Sequence, residues 1–226
     1  MGTEYNPRVV TNGLVAYFDV TNTRSYIGSG TTVNGLVSGI GFTLTNGVGF
    51  GTTGTSYFIF DGTDDNIPFS IPSPGTILSI EMWARIKSFS NGMPFGFDRY
   101  DVWANSGRIG FNTAASDIYG LTSTQVTNLG LLNQWKHYIF EMRTDVSYSN
   151  NKIYINGENQ SLSQVAGTEN AGLRSFNSGN GRISSWLFSG VFNISMDLAQ
   201  FRIYNRALLT TEAVQNYNAT KKRYGL

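Results

Sequence analysis

The chain contains no cysteine among its 226 residues. Disulfides, thiolate metal sites and cysteine nucleophiles are therefore excluded. It contains a single histidine, His137, so a Ser-His-Asp triad would have to be built on that residue. No Gly-x-Ser-x-Gly elbow accompanies it, and its mid-strand place in Trp135-Lys136-His137-Tyr138 predicts a structural residue at the sheet surface. Charge is scarce as well: Asp, Glu, Lys and Arg make up 14% and the formal net charge is +1. Such a surface offers no broad basic field to nucleic acid or acidic lipid. Its one basic cluster, Lys221, Lys222 and Arg223, suits the C-terminal turn of a helix. No apolar run approaches the ~20 residues of a membrane span. The opening MGTEYNPRVV lacks the apolar centre of a signal peptide. These absences predict a protein made in a cytoplasm, with no membrane insertion and no nucleic-acid partner. No phosphate-cradling glycine motif precedes a helix, and no cofactor is expected.

What is present is period-two patterning. In Ile80-Glu81-Met82-Trp83-Ala84-Arg85-Ile86-Lys87 the residues Ile80, Met82, Ala84 and Ile86 alternate with Glu81, Arg85 and Lys87, which predicts a strand with one wet face. Tyr57-Phe58-Ile59-Phe60, Tyr138-Ile139-Phe140-Glu141-Met142 and Gln200-Phe201-Arg202-Ile203-Tyr204 read as further strands. Lys152-Ile153-Tyr154-Ile155 runs into Asn156-Gly157, a strong hairpin signal. Many of the 26 glycines sit in turn contexts such as Asn12-Gly13 and Asn46-Gly47. Short strands at even spacing predict a sandwich or jelly roll. One helix is predicted near the C-terminus: Leu209, Ala213, Val214 and Tyr217 share a face, Thr210 is placed as N-cap, and Glu212 lies in the first turn. The chain divides into an N-terminal arm, residues 1–12, and one domain, residues 13–226.

Five segments resemble laminin-G-like, concanavalin-A-like domains, in family order. They are Gly13-Leu14-Val15-Ala16-Tyr17-Phe18-Asp19, then Phe60-Asp61-Gly62-Thr63-Asp64-Asp65, then Ser79-Ile80-Glu81-Met82-Trp83-Ala84. Trp135-Lys136-His137-Tyr138 with Asn151-Lys152-Ile153-Tyr154-Ile155-Asn156-Gly157-Glu158 is similar to a paired-strand signature. Met196-Asp197-Leu198-Ala199-Gln200-Phe201-Arg202-Ile203-Tyr204-Asn205-Arg206-Ala207-Leu208 resembles the closing one. The resemblance implies an all-β, two-sheet antiparallel jelly-roll sandwich with one short C-terminal helix. The opening Asn12-Gly13-Leu14-Val15 and closing Gln215-Asn216-Tyr217-Asn218-Ala219 are most similar to domains of tailed-phage virion proteins. That likeness implies a virion component of tail fibre, baseplate or capsid surface, with other virion proteins and copies of itself as partners and a cell-surface glycan as possible ligand. Because this fold hosts lectins, glycosidases and adhesion modules alike, a free carbohydrate-binding module and a glycoside hydrolase stand as alternatives.

Glycoside hydrolysis needs two carboxyl groups roughly 5–10 Å apart. The family's E-x-D-x-x-E pattern is absent, and Glu81 has Ser79 and Trp83 as alternate neighbours, so Glu81 is not expected to be catalytic and the chain is read as a non-enzyme. Asp61, Asp64 and Asp65 form the one dense acidic group. They are read first as a turn whose side chains accept backbone N–H bonds, with calcium as the alternative; no metal site is assigned. Sugar sites pair amides, carboxylates or Arg with aromatic faces. Asp98, Arg99, Tyr100, Asp101, Trp103 and Asn105 offer that mixture, as does Trp186, and these seven are the candidate ligand contacts, weighed against the core role that many aromatics must fill.

Overall fold

The computed structural model describes residues 7–37, 39–186 and 191–226. In chain order the first strands are β1 (Leu14–Asp19), β2 (Thr32–Asn34), β3 (Gly41–Thr43), β4 (Gly49–Gly51), β5 (Tyr57–Asp61) and β6 (Ile67–Ser70). Then come β7 (Ile77–Ile86), β8 (Asn91–Gly96), β9 (Asp101–Asn105), β10 (Arg108–Asn112), β11 (Ile118–Leu121), α1 (Ser123–Asn128) and β12 (Trp135–Arg143). The chain closes with β13 (Lys152–Ile155), β14 (Glu158–Asn159), β15 (Ser163–Ala166), β16 (Asn180–Ile183), β17 (Ser195–Tyr204) and α2 (Thr210–Thr220). One sheet has the order β14-β13-β12-β7-β17-β5-β4, with β1 also on β17; the other runs β15-β11-β10-β9-β8-β16-β6. Every pairing within the two sheets is antiparallel. This is the two-sheet sandwich with a C-terminal helix that the alternating pattern and the resemblance predict.

The sheets meet through their alternate, apolar residues. Phe201 of β17 packs 5.8 Å from Phe18 of β1 and reaches across to Phe69 of β6 and Phe95 of β8, at 5.8 and 6.3 Å. Each such ring, fully buried, stabilises the fold by roughly 1.5–3 kcal/mol. The Asn156-Gly157 turn joins β13 to β14 with φ of 53° and 83°, the left-handed pair that a two-residue hairpin requires.

The second face of β7 departs from expectation. It is covered where Glu81, Trp83 and His137 lie fully buried, and stays partly exposed only toward Arg85 and Lys87. α2 and the last residues lie over this face. Trp83 Nε1 donates to Thr220 Oγ1 at 2.7 Å, and its ring stacks on Tyr224 at 3.9 Å. Beneath α2, Asn216 Nδ2 donates to Glu81 Oε2 at 2.6 Å, His137 Nε2 stands 3.1 Å from Glu81 Oε1, and Arg202 Nη1 donates to the same oxygen. Burial alone would push the Glu81 carboxyl up, but the Arg202 charge and the contacts with His137 and Asn216 outweigh it and hold it at about 2. His137 is thus a structural residue, as expected, but lies under a helix rather than at the sheet surface.

The helix itself is shifted from its predicted pattern. Leu209 occupies the N-cap position rather than Thr210, and Glu212 reaches back to accept from the Leu209 N–H at 2.8 Å. The packed face carries Ala213, Asn216 and Thr220, while Leu209 and Val214 are exposed. Ala213 and Tyr217 of the predicted face pack as expected, and the hydrogen bonds of Asn216 and Thr220 dock the helix beside them.

Residues 1–6 of the predicted arm lie outside the described residues. Its later part is tied to its own domain: Val10 N donates to Asn216 Oδ1 at 2.8 Å and Val10 O accepts from Tyr204 OH at 3.1 Å. At the turn after β5, Asp61 Oδ1 accepts from Thr63 N at 2.7 Å and Asp65 Oδ2 from Asp61 N at 3.0 Å. Asp61 makes the turn contact expected of it, and the second comes from Asp65 rather than from Asp64, the other residue flanking Gly62-Thr63. One carboxylate oxygen from each of Asp61, Asp64 and Asp65 lies within 4.8 Å of the others.

Candidate functional site

On β9, Val102 and Ala104 join the core between the sheets, so Asp101, Trp103 and Asn105 face outward. The strand register fixes what surrounds them. Asp101 lies between Gly96 of β8 and Asn112 of β10, and Trp103 lies beside Gly110. Gly96 carries no side chain for a specific reason: a Cβ there would sit 1.8 Å from Asp101 Oδ1. The glycine opens the space that the carboxyl fills.

Asp101, Trp103 and Trp186 come together in one hollow of about 220 Å³. Phe192 stands between the two indoles, 5.9 Å from Trp103 and 6.4 Å from Trp186. Met93, Asn112, Ala114 and Ser116 complete the wall. Trp103 is oriented by its Nε1, which donates to Asn91 Oδ1 at 2.9 Å, and Trp186 by its Nε1, which donates to Asp98 O. Asn112 accepts from Ala114 N and donates to Asp117 O, both at 2.8 Å, which holds the β10–β11 turn in place. Three residues of the wall have left-handed backbone: Ala114 at φ 60°, Ser116 at 57° and Phe192 at 62°. For a bulky residue such as Phe this is a strained conformation, and such strain concentrates at functional sites.

Asp101 is the chemically distinctive member. It is 1% exposed, and neither carboxyl oxygen has a hydrogen-bond partner among the described residues. Burial, and secondarily the Asp98 charge, push its carboxyl well above the usual range. The sign for stability follows. An acid raised on folding contributes most below its unfolded value of 3.8, and that contribution falls as pH rises toward the folded value. At neutral pH the residue therefore weighs against the fold. Asp101→Asn is expected to stabilise the protein at neutral pH by about 1 kcal/mol, since it removes an unpaired buried acid. Melting curves across pH would check it; a lower melting temperature for the variant at neutral pH would contradict it.

The other predicted contacts divide. Asp98 and Arg99 line a second hollow of about 520 Å³ that shares Trp186 and Ala114 with the first. They form a rim, with Arg99 Nε 3.9 Å from Asp98 Oδ2. Tyr100 points the other way: it is fully buried, stacks 5.8 Å from Phe176, and its hydroxyl oxygen accepts from Asn151. Burial raises its phenol to about 12. Asn105 lies at the far end of β9, where its Oδ1 accepts from Ser106 Oγ at 3.1 Å. Met93, Asn112, Ala114, Ser116 and Phe192 were not legible as candidate site residues, because strand register brings Met93 and Asn112 to Asp101 and loop backbone brings Ala114, Ser116 and Phe192.

A larger hollow of about 680 Å³ lies between Lys87 and Leu132. Its wall holds several serines and one aromatic residue, Phe89, and no carboxylate. Its one charged side chain is Lys87, and Ser106 on its wall has left-handed backbone at φ 52°.

The concanavalin A-like lectin/glucanases family model matches residues 61–214. No curated protein matches the chain by sequence. Among solved structures, the receptor-binding domain of botulinum neurotoxin C/D mosaic serotype aligns with TM-score 0.60 and 12% identity, over 91% of this chain and 51% of that one. Trypanosoma rangeli sialidase in complex with sialic acid aligns with TM-score 0.65 and 13% identity, over 95% of this chain and 34% of the sialidase. The chain thus spans about half or less of these proteins, and at such identity the likeness is one of fold. The family match over residues 61–214, on an antiparallel two-sheet sandwich, gives the conclusion that this chain belongs to the concanavalin A-like lectin/glucanases superfamily.

Proposed function

We propose that this domain binds carbohydrate without cleaving it, at the hollow of Asp101, Trp103 and Trp186, and that it does so as a surface component of a phage particle. One observation carries the binding site: a buried carboxyl without a hydrogen-bond partner at a hollow walled by two indoles and a phenyl ring. Buried polar groups are ordinarily satisfied, and a few polar groups in an otherwise apolar hollow are the usual makeup of a ligand site. Indole faces suit the C–H faces of sugars, and the Asp98–Arg99 rim suits hydroxyls beyond the hollow. The virion setting is supported by the likeness of the opening and closing segments to phage virion domains. Mass spectrometry of purified particles tests it, and absence from particles would favour the free binding module.

A hydrolase reading draws on one observation, the electrostatic action of Asp98 on Asp101. Paired carboxyls of unequal proton affinity are a glycosidase signature. Against it, Asp98 faces Arg99 at 3.9 Å on the neighbouring hollow rather than Asp101 in this one, and the two carboxyls of a glycosidase must flank one glycosidic bond. A glycan panel separates the readings: retention without products supports binding, and hydrolysis abolished by Asp101→Asn supports the enzyme. Trp103→Ala is expected to weaken glycan binding by about tenfold or more, equivalent to ~1.4 kcal/mol, with the fold intact. Calorimetric titration checks this, and unchanged affinity would remove the hollow from the reading.

A further inference from the structure

We propose that the hollow selects an ammonium group, so that the preferred carbohydrate carries a free or N-methylated amine. The inference rests on the carbohydrate reading for the rest of the ligand, but its geometry is independent of it. Asp101 is an acid without a counter-charge. Arg99 turns to Asp98 at 3.9 Å. Arg182 of β16 pairs with Gly96 in register, two strands from Asp101, and among the described residues no cation comes within ion-pair distance of the Asp101 carboxyl. No Lys or Arg lines the hollow, which disfavours an anionic ligand. A purely apolar occupant would leave the carboxyl unpaired and still more desolvated, at a cost.

An ammonium group answers both features of the wall. It supplies a partner to Asp101, and the rings of Trp103, Trp186 and Phe192 that line the same hollow attract cations through their quadrupoles. A neutral hydroxyl would satisfy the carboxyl without the added attraction of a cation to the rings. The volume of about 220 Å³ falls below the ~300–1,000 Å³ of pockets that hold a whole small ligand. It accommodates one substituent of a larger molecule, with the remainder over the Asp98–Arg99 rim. Burial keeps Asp101 protonated well above the usual carboxyl range, so an arriving ammonium ion displaces that proton to solvent and leaves an ion pair.

The test is a titration of the whole chain, followed at the indole N–H resonances of Trp103 and Trp186. The probes are tetramethylammonium chloride and its neutral isostere tert-butyl alcohol, then glucosamine oligosaccharides and their N-acetylated counterparts. The expected result is that each cationic probe binds at least about tenfold more tightly than its neutral partner, an effect of the size that a desolvated charge pair supplies. Asp101→Asn, folded by its melting curve, should abolish the preference. Equal binding of the neutral probes, no binding of either cationic probe, or a preference that survives in Asp101→Asn would overturn the inference. The carbohydrate reading is separable. If tetramethylammonium binds through Asp101 while no glycan competes, the ammonium site stands and the carbohydrate reading falls. If neutral glycans bind the hollow as well as aminated ones, the carbohydrate reading stands and this inference falls.

Discussion

Replacing Arg202 by methionine should destabilise the protein by about 3–5 kcal/mol, the usual consequence of leaving one member of a buried ion pair alone. Arg202 is 1% exposed on β17. Its guanidinium meets Glu81, donates to Gln200 Oε1 at 2.7 Å and lies 4.4 Å over the ring of Tyr17. Methionine keeps much of the volume but strands the Glu81 carboxylate beneath α2. Because Asn216 also bonds Glu81, the loss should loosen the helix along with the sheet. Denaturant midpoints measure the effect. The double variant Glu81→Gln with Arg202→Met should be less destabilised than the sum of the two single changes, since the stranded charge is gone. A cost below about 1 kcal/mol for Arg202→Met would show the network to be dispensable.

Acid should remove a comparable amount by titrating the same carboxyl. The pKa of Glu81 falls from 4.5 to about 2 on folding. A depressed acid contributes stability that is fully present above its unfolded value and is lost as pH falls through the folded value. The window is therefore from pH 4.5 down to about 2, with about 3 kcal/mol lost across it. In Glu81→Gln that segment of the stability profile should flatten. Asp101 acts with the opposite sign, so its variant should change the profile at higher pH instead. Unfolding free energies measured through this range would show the two contributions apart, and an unchanged acid slope in Glu81→Gln would contradict the assignment.

The strands of this fold are legible because each buries one face between the sheets, and alternation records it. Ile80, Met82, Ala84 and Ile86 read as core residues and lie in the core. The Asn156-Gly157 hairpin is legible because few residue pairs adopt two successive left-handed conformations. What alternation does not record is the fate of the second face. Glu81 and His137 read as wet because their side chains are polar, yet their polarity is satisfied under a helix that docks through Asn216 and Thr220. Of the predicted apolar face Ala213 and Tyr217 pack, whereas Leu209 and Val214 misled because Asn216 and Thr220 carry part of the docking through hydrogen bonds. The site was legible in part: Asp101 and Trp103 alternate on one strand and share a face. Tyr100 was indistinguishable from them by composition, but its side chain belongs to the interior. Asn112 and Phe192 reach the hollow through register and a strained loop backbone, neither of which a single sequence reveals.

The most direct test of the account is the structure of the domain with a bound glycan drawn from panel screening. The ligand should sit against Trp103 and Trp186, with one group directed toward Asp101 and the remainder near Asp98 and Arg99. A glycan seated instead in the serine-lined hollow between Lys87 and Leu132, with the hollow at Asp101 untouched, would contradict it.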